Sequence, residues 1–96
     1  MAASPDPGAD PVIRQYRERI TDNDRAIVEA VNARLRLVRE LKAYKDHAGL
    51  GFVDPQREEH MLAYALRANR GPLSDDGLRR FFATLLELTK SEVADV

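Results

Sequence analysis

The chain has 96 residues and carries 15 lysines and arginines against 16 aspartates and glutamates, a net charge of −1. That balance gives no global attraction to nucleic acid or to anionic membranes, so neither is expected as a partner and any basic site has to be local. The absence of cysteine excludes disulfides and thiolate metal sites, His47 and His60 are too few and too far apart for zinc, and no apolar run approaches the ~20 residues that span a bilayer.

One domain of this length has a core only marginally able to stabilise itself, so a further source of buried area is expected, and self-association is the simplest. The opening MAASPDPGADP lacks the basic start and apolar stretch of a secretory signal. Its composition predicts a short disordered tail over residues 1–10 and a cytoplasmic protein.

From Pro11 to about Lys45 there is no internal proline or glycine, and Ile13, Ile20, Ile27, Val31, Val38 and Leu41 recur at helical spacing. This predicts one helix of about 35 residues, roughly 50 Å long at ~1.5 Å per residue. Such a length is about four times the ~13 Å radius of gyration of a compact chain this size, so the helix cannot be buried within one subunit. The stretch DHAGLGF, with glycines at 49 and 51, ends it. Asp54 then reads as an N-cap and Pro55 as the first residue of a second, shorter helix with Met61, Leu62, Ala65 and Leu66 on its inner side. ANRGPL breaks that helix at Gly71-Pro72. Ser74 with Asp75 and Asp76 caps a third helix, whose apolar stripe is Leu78, Phe81, Phe82, Leu85, Leu86 and Val93. The adjacent phenylalanines are expected in the core, packed against two neighbouring helices. With no alternating strand pattern or repeat, the architecture is all-α, one long helix and two shorter ones per subunit.

Charges on the first helix fall on an unexpected face. With Ile20 at zero and about 100° per residue, Ile13, Ile27, Val31 and Val38 lie within about 20° and define the buried stripe. On the same count Arg34 lies at about −40° and Lys45 at about −20°, while Asp24 and Arg17 fall at about +40° and +60°, near one edge. Arg14, Arg25, Arg36 and Arg39 lie about 100° or more away, where a solvated charge belongs. Burying an unpaired cation costs on the order of several kcal/mol, so the cations in the stripe need anionic partners. Internal salt bridges to Asp24, Glu58 and Glu59 are one reading, with lysine snorkelling past the helix end. Once Arg57 is added, the internal carboxylates on matching faces are too few, and the sharper reading is a pocket for a small molecule bearing two carboxylates.

Arg17 in YRERITDND, Arg34 ten residues beyond Asp24, Lys45 eleven further on, and Asp54, Arg57 and Glu58 in DPQRE together resemble the all-helical type II chorismate mutases of the shikimate pathway. The resemblance runs from about Val12 to Val93. It implies an intertwined homodimer of three-helix subunits with paired long helices, in agreement with the independent need of the first helix for a partner. The implied reaction is the rearrangement of chorismate to prephenate, a pericyclic step in aromatic amino acid biosynthesis with no covalent intermediate, no metal and no cofactor. Carried over by position, Arg34 of one subunit and Arg17 of the other grip the carboxylates, and Lys45 reaches a carboxylate and the ether oxygen. Glu58 accepts a hydrogen bond from the substrate hydroxyl with the Asp54 backbone nearby, Arg57 completes the positive wall, and Thr89 helps hold a carboxylate.

Val93 departs from the family pattern, which places Gln or Glu there to hydrogen-bond the ether oxygen. Losing one donor aimed at developing charge costs on the order of 10²–10³ in rate. A weak mutase is implied, or one helped by an activating protein partner or a different donor, or a relative acting on a modified chorismate. Of the remaining polar residues, His60 reads as a half-exposed helix residue and Asp24 as the partner of a nearby arginine. On the same scaffold an isochorismate-pyruvate lyase or an aminodeoxychorismate mutase would use nearly the same carboxylate grip. From another class, a helical dimerisation or regulatory module without an active site is the alternative, and only the cations in the stripe argue against it.

Overall fold

The computed structural model describes residues 7–51 and 53–94. Among these the chain forms a 3-10 turn, Pro7–Ala9, and three α-helices: α1, Pro11–His47; α2, Pro55–Ala68; and α3, Asp75–Val93. The described residues include no strand, and the all-α class read from periodicity holds. Of the tail expected to be disordered, residues 1–6 lie outside the described residues, as does Phe52 at the end of the DHAGLGF break, while residues 7–10 are ordered, Pro7–Ala9 as the 3-10 turn and Asp10 as the cap of α1. No helix among the described residues is long and apolar enough to cross a membrane.

The chain divides into two compact units, Met1–Arg34 and Leu35–Val96. In the first, Asp10 opens α1. Its Oδ1 accepts the backbone N–H of Val12 at 2.8 Å and of Ile13 at 3.3 Å, and its carbonyl accepts that of Arg14 at 3.0 Å. Pro11 follows at the first helical position, where a missing N–H costs no intrahelical bond. Along this part of α1 the guanidinium of Arg19 lies over the Tyr16 ring, 5.6 Å from its centroid, and Arg25 approaches Asp22 at 4.0 Å on the open surface. Asp24 is exposed. None of α1 is buried in the single chain: Ile20 is 58% and Ile27 48% exposed. Leaving these two isoleucines about half exposed forgoes roughly half of the ~1.5–3 kcal/mol that full burial of each contributes, a driving force for covering the stripe.

In the second unit α1 closes with a glycine-dependent motif. Gly49 takes φ +75°, which a residue with a Cβ adopts only at a cost. Its N–H donates to the Asp46 carbonyl at 3.2 Å and the N–H of Leu50 reaches back to the Lys45 carbonyl at 2.7 Å, the Schellman pair of bonds. Asp54 then caps α2 and Ser74 caps α3 through the N–H of Gly77, at 3.0 Å, as their positions predict. Between these helices Asn69 organises the turn: its side-chain amide donates to the Leu73 carbonyl at 2.8 Å, and its Oδ1 accepts the N–H of Gly71 at 3.0 Å.

α2 packs on α3 as a helical hairpin. Its core is Leu78, Thr89 and Val93 of α3, with Met61, Leu62, Ala65 and Leu66 of α2 half-buried against that side. The phenylalanines correct an expectation. Phe82 is half-buried but Phe81 is exposed, its ring edge-on to Phe82 with centroids 6.2 Å apart. Within this unit α2 covers one side of α3, so the second aromatic lies beyond the covered arc.

Candidate active site

The first turn of α2 carries three of the residues singled out in the sequence. The backbone N–H of Arg57 donates to Asp54 Oδ1 at 3.2 Å, and that of Glu58 to the Asp54 carbonyl at 3.1 Å. This cap fixes the backbone from which both side chains project. Asp54 and Arg57 are exposed, whereas Glu58 is half-buried. Its Oε1 receives the ammonium of Lys90, on α3, at 2.9 Å. Glu58 therefore meets a cation that sequence reading missed. Nothing local announces Lys90, because the contact depends on the register between two helices.

On α1, burial separates the charges much as the angular count did. Among the described residues, the charged side chains that are not exposed are Arg34, Lys42, Lys45 and Glu58. Arg34 and Lys45 are the two cations placed within the apolar stripe. Lys42 was not singled out, although the same count puts it at about +40°, level with Asp24. Its ammonium donates to Asp46 Oδ2 at 3.3 Å, one turn further on. Arg17 is exposed in the first unit, and Lys45 sits in the final turn of α1, where its carbonyl anchors the Schellman bond. A cation there also suits the negative end of the helix dipole.

On α3 the two remaining candidates are both inward. Thr89 is buried and its hydroxyl donates to the Leu85 carbonyl, one turn back, at 2.6 Å. Val93 is 0% exposed, the most completely buried side chain of the hairpin. An amide or carboxyl at that position would be desolvated, and so would need a hydrogen-bonding partner. The candidates thus comprise the Arg17 and Arg34 guanidinium groups in the first unit and, in the second, the Lys45 ammonium, the Arg57 guanidinium and the Asp54 and Glu58 carboxylates; guanidinium and ammonium groups are suited to holding anions.

Comparison with known proteins accords with these features. The family model for chorismate mutase type II matches residues 16–93. Among solved structures, chorismate mutase from Thermus thermophilus in its form I is 34% identical with a TM-score of 0.78, covering 80% of this chain and 96% of that one. Form II is 33% identical with a TM-score of 0.79, covering 82% and 90%. No match is found among curated proteins. With the family match running through α1, α2 and α3 and both solved relatives more than 30% identical, this chain belongs to the type II chorismate mutase family.

Proposed function

We infer that the chain is a chorismate mutase, an isomerase that turns chorismate into prephenate within the shikimate pathway, working as a cytoplasmic homodimer. Residues 11–96 act as one catalytic domain. The observation that carries the site assignment is the partial burial of Arg34, Lys45 and Glu58, three residues to which the family pattern gives roles, in a chain whose other described charges, Lys42 aside, are exposed.

The rearrangement needs no external nucleophile or base. The protein has to hold a dianion in the compact diaxial form and stabilise negative charge as it grows on the ether oxygen. Arg34 of one subunit and Arg17 of the partner subunit clamp the two carboxylates, each guanidinium offering a fork of donors. Lys45 spans a carboxylate and the ether oxygen, where a fixed cation favours the transition state over the ground state. Glu58 orients the ring by accepting from its hydroxyl, and Arg57 adds positive potential. Thr89 would lend its proton to a carboxylate only by turning away from Leu85. Val93 supplies no donor to the ether oxygen, which implies a slow enzyme or one assisted by a protein partner.

The test is incubation with chorismate, isochorismate and aminodeoxychorismate separately, reading products by chromatography. Prephenate from chorismate as the main turnover supports this reading. Pyruvate release from isochorismate, or preferred turnover of the amino compound, would reassign the substrate. No product from any of them, with no thermal stabilisation by a bicyclic dianionic mimic, would leave a non-catalytic helical module; a ligand at 100 times its Kd adds about 2.7 kcal/mol.

A further inference from the structure

We propose that Lys90 is a specificity-determining residue of this site: by neutralising Glu58 it selects a substrate with a neutral ring hydroxyl over one with a cationic amino group there. The proposal rests on the assignment of Glu58 to that ring position.

The ion pair is built in from both sides. Glu58 lies in the first turn of α2 and Lys90 in the last turns of α3, so each charge also suits the dipole of its own helix end. The side chains are 26% and 45% exposed, and the 2.9 Å separation is that of a charge-assisted hydrogen bond. Partial burial keeps the pair less screened than a surface bridge. Thr89 and Val93, flanking Lys90 on α3, are buried, which anchors the turn that presents Lys90.

A carboxylate holding one ammonium keeps lone pairs for a hydroxyl donor, since two oxygens offer about four acceptor sites. The pair is neutral overall, and a neutral O–H meets no electrostatic penalty at it. An ammonium on the substrate would face Lys90 at close range, with the attraction of Glu58 already shared. Without Lys90, Glu58 alone would favour the ammonium. The side chain of residue 90 therefore sets the sign of the preference without touching the reacting bond, acting through Glu58.

The experiment compares kcat/KM for chorismate and for its 4-amino-4-deoxy analogue in the full chain, as wild type, Lys90→Met and Lys90→Arg. The wild type is expected to prefer the hydroxyl substrate. In Lys90→Met the ratio moves toward the amino substrate by ~10-fold or more, and Lys90→Arg returns it toward wild type. A merely structural role would lower both values together. A ratio unchanged within about twofold in Lys90→Met, with both substrates still turned over, overturns the proposal. So does a wild type that prefers the amino substrate, which decides the matter even if Lys90→Met fails to fold. Turnover of neither substrate by the wild type defeats the mutase reading itself, and is thereby distinguishable.

Discussion

Asp54 holds the backbone N–H of Arg57 in its carboxylate, 3.2 Å from Oδ1, so one residue both starts α2 and sets the turn that carries Arg57 and Glu58. Replacing an N-cap aspartate by alanine costs about 1 kcal/mol, and asparagine caps about as well. Asp54→Ala should therefore lower the melting temperature by about 4–8 °C, while Asp54→Asn leaves it nearly unchanged. Catalysis should follow the same order, because fraying the turn misplaces both side chains. Equal loss of activity in both variants, with only Asp54→Ala destabilised, would mean that the carboxylate does more than cap.

Local chemistry explains why so much of this scaffold could be read in advance. Caps at Asp54 and Ser74, proline at position 55 and glycine at position 49 each act within a turn of themselves, and each does in the structure what its type dictates. Asp10 is equally local: an aspartate directly before Pro11 is a cap signal of the same kind. The angular count found Arg34 and Lys45 because a straight helix converts spacing into direction. Lys90 stayed hidden because its partner is on another helix. The phenylalanines divided for a related reason: the pattern marks an apolar arc on α3 but not how much of it a neighbour covers.

Arg34 provides the sharpest separation of catalysis from stability. If Arg34 binds a substrate carboxylate as proposed, its replacement should reduce kcat/KM by at least ~10³-fold, since binding charge and a preorganised donor are both lost. The helices should remain formed, as judged by circular dichroism and a melting curve. Unfolding of Arg34→Ala would instead identify the guanidinium as part of an internal salt bridge, because stripping one partner from a buried pair leaves the other uncompensated.

Sharing of each site between two subunits can be read by subunit mixing. Arg17→Ala and Arg34→Ala homodimers should each be inactive. In the proposed dimer with shared sites, a heterodimer would bring an intact Arg34 and an intact Arg17 together at one site and place both lesions at the other. With random exchange between equal amounts, half of the dimers are mixed, so activity should recover to about a quarter of wild type. No recovery after demonstrated exchange, followed by mass spectrometry of labelled subunits, would place both arginines in the same subunit's site or outside it.

Val93 poses the opposing demands of packing and catalysis at one position. Its side chain is 0% exposed in the hairpin core, so Val93→Gln places an amide where about 1–3 kcal/mol is lost if its hydrogen bonds are unmade. If the position also borders the ether oxygen of the bound substrate, the same amide becomes the missing donor. The variant should then be less stable without ligand, yet gain about 10²-fold in kcat, with a bicyclic dianionic mimic stabilising it more than it stabilises wild type. Val93→Leu is the control for volume alone and should gain no rate. A glutamine variant that is folded, binds the mimic as wild type does and turns over no faster would remove residue 93 from the list of groups facing the breaking C–O bond. The slow rate implied by valine would then have to be offset from elsewhere, by Lys45 or by a bound protein.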